Sequence, residues 1–239
     1  MEERYFYVPP DLIYKNKVII EGDEYYHLHK VLRKKKGDVI HVVDGEGNDY
    51  VVKIEKIEKS RIHGIILEKL ERPNETKNFF ALGISVLKNR DKMDMIFEKG
   101  TELGVRCFYP IISERTIPNP KGLKIDRWRK IVLNAMKQSR RSILPYISEP
   151  ISLKEFFKEV KDFDVKVLLD EEGENSFYKI KEGNKFLIVV GPEGSFTKDE
   201  KEEFEKEGFL RVKMGKRIMK SETASLIGLG ILMFFKKEI

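Results

Sequence analysis

Cysteine occurs once in the 239 residues, at Cys107, so no intramolecular disulfide framework holds this fold. Four histidines, His27, His29, His41 and His63, form no recognised ligand spacing with that cysteine, and no metal is suggested. Long apolar runs are missing too. The longest, Ala224 to Phe235, is broken by a serine and two glycines and is too short to span a bilayer. The first residues, Met1-Glu2-Glu3-Arg4-Tyr5, lack the basic and then apolar pattern of a secretory leader. A cytoplasmic protein with no membrane association is expected. What is present excludes disorder: 41% of residues are hydrophobic and 10% aromatic, enough to bury a core in one large domain or two modest ones.

The charge is unevenly placed. Residues 1–76 hold 14 basic and 15 acidic side chains, whereas residues 77–239 hold 32 and 25. One stretch, 121–141, carries Lys121, Lys124, Arg127, Arg129, Lys130, Lys137, Arg140 and Arg141 against the single acid Asp126. A second cluster, Lys30-Val31-Leu32-Arg33-Lys34-Lys35-Lys36, lies in the otherwise neutral first part. Either cluster alone reads equally well as a solvated face. Together they point to a polyanion partner, because phosphate contacts come mainly from Lys and Arg.

Glu71-Arg72-Pro73-Asn74-Glu75-Thr76-Lys77-Asn78 reads as a linker between two differently patterned regions. Before it, Val39–Val43 and Tyr50–Ile54 flank the turn residues Asp44 to Asp49 and predict a hairpin, and Arg61–Leu67 predicts a further strand. Several short strands in about 70 residues suggest a small β-barrel. After the linker, apolar runs at Phe79–Val86, Phe108–Ile112, Val165–Leu169 and Phe186–Val190 alternate with helical periods. Ser152 with Glu155, and Thr197 with Glu200, have capping-box spacing. That alternation predicts a parallel sheet covered by helices.

Two loops carry the chemistry. Gly191-Pro192-Glu193-Gly194-Ser195 runs from an apolar strand into a capped helix, where glycines let backbone approach a ligand. It has neither the Walker lysine nor the G-x-G-x-x-G spacing. The second, Met214-Gly215-Lys216-Arg217-Ile218-Met219-Lys220-Ser221-Glu222-Thr223-Ala224, leads into the last apolar helix. Each alone is also compatible with a turn or a helix start that binds nothing.

Taken together, the two loops resemble the RsmE family of bacterial ribosomal RNA methyltransferases, of the SPOUT superfamily. The resemblance extends to Lys99-Gly100-Thr101-Glu102-Leu103-Gly104-Val105, Glu114-Arg115, Arg127-Trp128 through Ala135, Gln138-Ser139, Arg141 and Pro145. In the first part it includes His27-Leu28-His29-Lys30-Val31-Leu32-Arg33 with Gly37-Asp38. There are departures: serine replaces a usual second glycine at Ser195, and Lys216, Met219 and Lys220 stand where proline, leucine and arginine are common. Lys220 keeps the charge but not the planar fork.

The resemblance implies a PUA-like RNA-binding β-barrel over residues 1–72. A knotted (trefoil) α/β methyltransferase domain with a parallel sheet would follow over residues 77–239. It implies S-adenosylmethionine as cofactor, a homodimer, and small-subunit rRNA or the assembling small ribosomal subunit as partner. The reaction would be methylation of a uridine at N3. Arg217, Glu222 and Lys220 would be catalytic, with Arg217 stabilising charge on the uracil oxygens and Glu222 accepting a proton or orienting Arg217. Leu169, Gly191, Pro192, Glu193, Gly194, Met214, Gly215, Ile218, Met219 and Thr223 would hold the cofactor. Arg4, His27, Arg33, Arg127, Arg129, Arg140 and Arg141 would meet RNA. Two alternatives stay open on residues alone: a SPOUT enzyme with a different rRNA or tRNA target, and an RNA-binding protein without catalysis.

Overall fold

The computed structural model describes residues 4–116, 123 and 125–239. Two compact units emerge, Met1–Glu75 with Leu133–Leu144, and Thr76–Val132 with Pro145–Ile239.

The first unit contains β1 (Tyr5–Tyr7), β2 (Ile13–Tyr14), β3 (Lys17–Glu21), β4 (Val39–Val43), β5 (Asn48–Ile57) and β6 (Arg61–Glu71). Helix α1 (Gly22–Tyr26) follows β3 and continues into a π-helical turn, His27–Val31. The sheet order is β1-β4-β5-β6-β3-β2, with β1 parallel to β4 and the other pairings antiparallel. The expected hairpin is β4–β5, in register from Val39 opposite Lys53 to Val43 opposite Asp49. Its turn works because Gly45 and Gly47 take φ of +80° and +112°. The buried Asp44 carboxylate then accepts hydrogen bonds from the backbone N–H of Glu46 and Asn48. Among the described residues no pairing joins β1 to β2, so the expected barrel is not closed by hydrogen bonds. Phe6 of β1 and Ile13 of β2 nevertheless enter one core with Val18, Leu28, Val42 and Ile54.

The second unit contains β7 (Phe79–Ser85), α2 (Arg90–Leu103), β8 (Cys107–Ile112), β9 (Tyr146–Ile147), β10 (Ile151–Ser152), α4 (Leu153–Glu159), β11 (Val165–Leu169), β12 (Lys185–Val190), α5 (Lys198–Lys206), β13 (Leu210–Val212) and α6 (Ser221–Phe235). Between β8 and β9, α3 (Ile125–Gln138) changes units after Val132. The sheet runs β10-β8-β7-β12-β11-β13, with β9 also on β8, and every described pairing is parallel. Strands buried on both faces explain the unbroken apolar runs. Leu187 and Val189 pack with Phe156, Phe157 and Phe204 from α4 and α5, while Phe186 stacks on Phe80 at 5.4 Å. Both capping boxes form, Ser152 with Glu155 and Thr197 with Glu200. No helix of the described residues is long and apolar enough to cross a membrane.

One boundary differs from the sequence reading, which assigned 77–239 to a single domain. Residues 133–144 pack with the first unit because Glu75 captures them. Its carboxylate is 1% exposed and accepts from Arg141 Nη2 at 2.8 Å and from the N–H groups of Ser142 and Ile143 at 3.0 and 2.9 Å. Lys137 pairs with Glu24 at 2.5 Å, and Met136 packs against Tyr5 and Val43. Glu75, within the stretch read as a linker, thus belongs to the packing of the first unit. Breaking a buried pair from one side typically costs about 3–5 kcal/mol, because the other charge stays buried and uncompensated. Glu75→Ala is expected to lower stability by about that much in a urea titration, whereas a loss under about 1 kcal/mol would deny Glu75 this role.

Candidate active site

A cavity of about 550 Å³ opens at the carboxyl ends of β11, β12 and β13, where Leu169, Val190 and Val212 reach its wall. Ligands of open parallel sheets bind at that edge. The remaining wall comes from Gly191–Ser195, from Lys213–Gly215 with Arg217–Ser221, from Ala224, and from Lys92 of α2. All of these belong to the second unit.

A buried hydrogen bond joins the two loops: Ser221 Oγ donates to the carbonyl of Gly191 at 2.8 Å. Ser221 is the first residue of α6, and Ser225 Oγ donates back to its carbonyl at 2.8 Å. One turn further, Gly228 packs so closely that a Cβ there would stand 2.4 Å from Leu169 Cδ1. A mid-helix glycine costs roughly 0.5–1 kcal/mol, and here it admits the end of β11. Ser225 and Gly228 are thus buried within the second unit. In the first loop Ser195 has φ of +57°, a left-handed conformation that explains why glycine is common there. Its N–H donates to Pro192 O at 2.9 Å and its hydroxyl lies 3.4 Å from Glu171 Oε2.

Charge around the cavity is organised by a carboxylate that the sequence reading missed. Asp170 follows β11 with its side chain 1% exposed, between Lys201 Nζ at 2.9 Å and Arg211 Nη2 at 2.7 Å. Burial alone would raise its pKa. Hydrogen bonds from Lys201, the Glu172 N–H and Arg211 outweigh that and hold it below the usual carboxylate range. Lys92 was missed as well: its ammonium lies 3.4 Å from Glu222 Oε2 and 3.7 Å from Glu193 Oε1. No local motif marks either residue, since their partners lie 31 or more positions away, except for Glu172 beside Asp170.

Of the expected site residues, Leu169, Gly191, Pro192, Glu193, Gly194, Met214, Gly215, Arg217, Ile218, Met219 and Lys220 line the cavity. Glu222 and Thr223 do not. The expected RNA-facing residues divide. Arg4, Arg33 and Arg140 are exposed, the last two with φ of +53° and +59°. His27 is half-buried, edge-on to Phe6. Arg127 is paired with Asp94, and Arg129 with Asp126 and Glu149. Arg141 must be corrected: it is 2% exposed with its guanidinium spent on Glu75, so it offers no surface charge. Lys121 and Lys124 lie outside the described residues.

Two family models identify this combination, a parallel α/β unit with two glycine loops at one strand-end cavity and a small β unit, as an RNA methyltransferase. Residues 74–233 match the RNA methyltransferase domain model, and residues 20–67 match the RNA methyltransferase PUA domain model. The chain is 34% identical to the ribosomal RNA small subunit methyltransferase E of Aquifex aeolicus, over 91% of this chain and 94% of that one. For the Bacillus subtilis protein of the same name the identity is 30%, over 90% and 89%. The Neisseria gonorrhoeae protein of that name, solved bound to S-adenosyl methionine, superposes with a TM-score of 0.89 at 29% identity over 98% of each chain. This chain belongs to the ribosomal RNA small subunit methyltransferase E family.

The depressed Asp170 value has a consequence for stability. Such a group contributes stability above its unfolded pKa, about 3.9, and loses it as pH falls through the lower folded value. The stability gap between the parent and Asp170→Asn should be steady from about pH 7 to pH 5 and narrow below about pH 4. Urea midpoints across that range measure it, and a gap that widened on acidification would contradict the assignment.

Proposed function

We propose that this protein transfers a methyl group from S-adenosylmethionine to N3 of a uridine in small-subunit ribosomal RNA. The observation that carries the reading is the meeting of both glycine loops and the start of α6 at one cavity, through the Ser221–Gly191 hydrogen bond. The residues present suit the cofactor. Ile218 is apolar yet 84% exposed at the cavity, and Leu169, Met214 and Met219 add apolar surface for a flat purine. Charged groups, Lys92 and Glu193 among them, suit its polar end.

When bound, S-adenosylmethionine supplies an electrophilic methyl group. The chain's own task is to prepare the acceptor. Uracil N3 must lose its proton, and the negative charge that then appears on the flanking ring oxygens must be stabilised. Arg217 lines the cavity, is exposed and always charged, and presents several donors for those oxygens. Lys220 adds a second cation at the N-cap of α6. Glu222 lies outside the cavity lining, so its part is to position other groups rather than to meet the base.

The same proposal includes residues 1–72 as the RNA-gripping domain, with Arg4, Arg33 and the exposed Lys35 and Lys36 as its cations. The small ribosomal subunit or its rRNA is the partner. A homodimer is supported by the apolar side chains that α6 and α2 expose, Ile227, Phe234 and Met95. A trefoil knot in residues 77–239 is supported by the last segment lying against the ends of β11 and β12. A cytoplasmic location suits a ribosomal target. It also suits a chain whose single cysteine, Cys107, is free and buried.

Loss of a donor aimed at developing charge falls on the chemical rate and typically costs about 100- to 1,000-fold. Arg217→Ala is expected to slow single-turnover methyl transfer to small-subunit rRNA by at least about tenfold, with cofactor affinity little changed. Arg217→Lys should restore only part of the rate. Full recovery of R217A at saturating RNA would mean that Arg217 merely grips phosphate.

A further inference from the structure

Glu114-Arg115 stands out in the sequence, yet neither residue lines the strand-end cavity. Both sit in the turn that follows β8, and that turn is a rigid mount. Thr116 N–H donates to the carbonyl of Ser113 at 3.0 Å, and Ser113 N–H donates back to Thr116 Oγ1 at 2.9 Å. Beneath it, the buried hydroxyls of Ser113 and of Ser85, the last residue of β7, meet at 2.5 Å. Glu200 ties the same turn to the start of α5. One of its carboxylate oxygens accepts from Glu114 N–H at 2.8 Å and the other from Thr197 N–H at 2.9 Å. Arg115 projects from this mount, exposed, and its Nη1 donates to the carbonyl of Gly194 in the first glycine loop, 79 positions away.

That carbonyl belongs to the peptide unit between Gly194 and Ser195. The N–H of the same unit donates to Pro192 O at 2.9 Å, so the unit is fixed at both of its polar ends. The constraint matters because Ser195 holds φ at +57°. A residue with a Cβ enters that region at a cost and stays there only where its surroundings dictate it. Glu193, Gly194 and Ser195 all line the cavity. Ser221 fixes the loop at Gly191, and Arg115 fixes its other end from outside the lining. We propose that Arg115 is a positioning residue for methyl transfer, holding the first glycine loop in the shape that receives the methyl donor. It acts through the Gly194–Ser195 peptide, so its effect falls on donor affinity rather than on the chemical step. This rests on the reading of the cavity as the methyl-donor site.

Steady-state methylation of small-subunit rRNA by the full-length protein, together with calorimetric titration of S-adenosylhomocysteine, tests it. Arg115→Ala is expected to raise the KM for S-adenosylmethionine and weaken S-adenosylhomocysteine by about five- to tenfold, the scale of one charge-assisted hydrogen bond lost at an exposed site. At saturating donor, kcat should stay within about twofold. A smaller folded fraction would do the reverse, lowering kcat and sparing KM. Arg115→Lys, which keeps a cationic donor on a flexible stem, should recover part of the affinity. A second check is coupling to the strained residue. Ser195→Gly removes the Cβ that makes its φ costly, so R115A made in S195G should lose no more than about twofold in S-adenosylhomocysteine affinity. Unchanged KM and unchanged S-adenosylhomocysteine affinity in R115A would overturn the proposal. So would a loss confined to rRNA affinity, which would make Arg115 an RNA contact, or an equal loss with and without S195G. The underlying reading fails separately, if the parent protein does not bind S-adenosylhomocysteine.

Discussion

The site depends on one buried hydrogen bond, from the Ser221 hydroxyl to the carbonyl of Gly191. That carbonyl follows β12, where the sheet ladder ends and its own pairing stops. A buried carbonyl left unpaired costs about 1–3 kcal/mol, so the contact holds the first glycine loop to the start of α6. Once α6 is anchored there, Gly228 brings the same helix against Leu169 at the end of β11. Two elements separated by 30 positions become facing walls of one cavity.

Cations in this chain do two different jobs, and net charge does not separate them. Arg141, Lys201 and Arg211 are committed to carboxylates that are almost fully buried, Glu75 and Asp170. Such pairs organise the units from inside, because removing either partner strands a charge in a low-dielectric setting. Arg33 and Arg217 stand in solvent and remain available to an anion. Lys92 falls between the classes, partly exposed at the cavity and ion-paired to Glu193 and Glu222.

Much of this was legible in residue order, for local reasons. Apolar runs located β7, β8, β11 and β12, and both capping boxes appeared where Ser152 and Thr197 predicted them. The glycine loops and the first hairpin carry their turn chemistry in consecutive residues. What could not be read is non-local. Residues 133–144 look like the middle of an α/β domain, and distant partners, Glu75 for Arg141 and Glu24 for Lys137, place them with the first unit. Asp170 finds Arg211 at a separation of 41, and Lys92 reaches Glu193 and Glu222 across most of the second unit. Short strands such as β1, β9 and β13 carry too few residues for a periodic signal.

The central claim is that the methyl donor binds between the two glycine loops of the second unit. Backbone hydrogen exchange of the full-length protein, with and without saturating S-adenosylhomocysteine, tests it most directly. Slower exchange is expected in segments 190–196 and 213–222, with residues 4–71 unchanged. Protection confined to the first unit, or absent from both loops, would contradict the account.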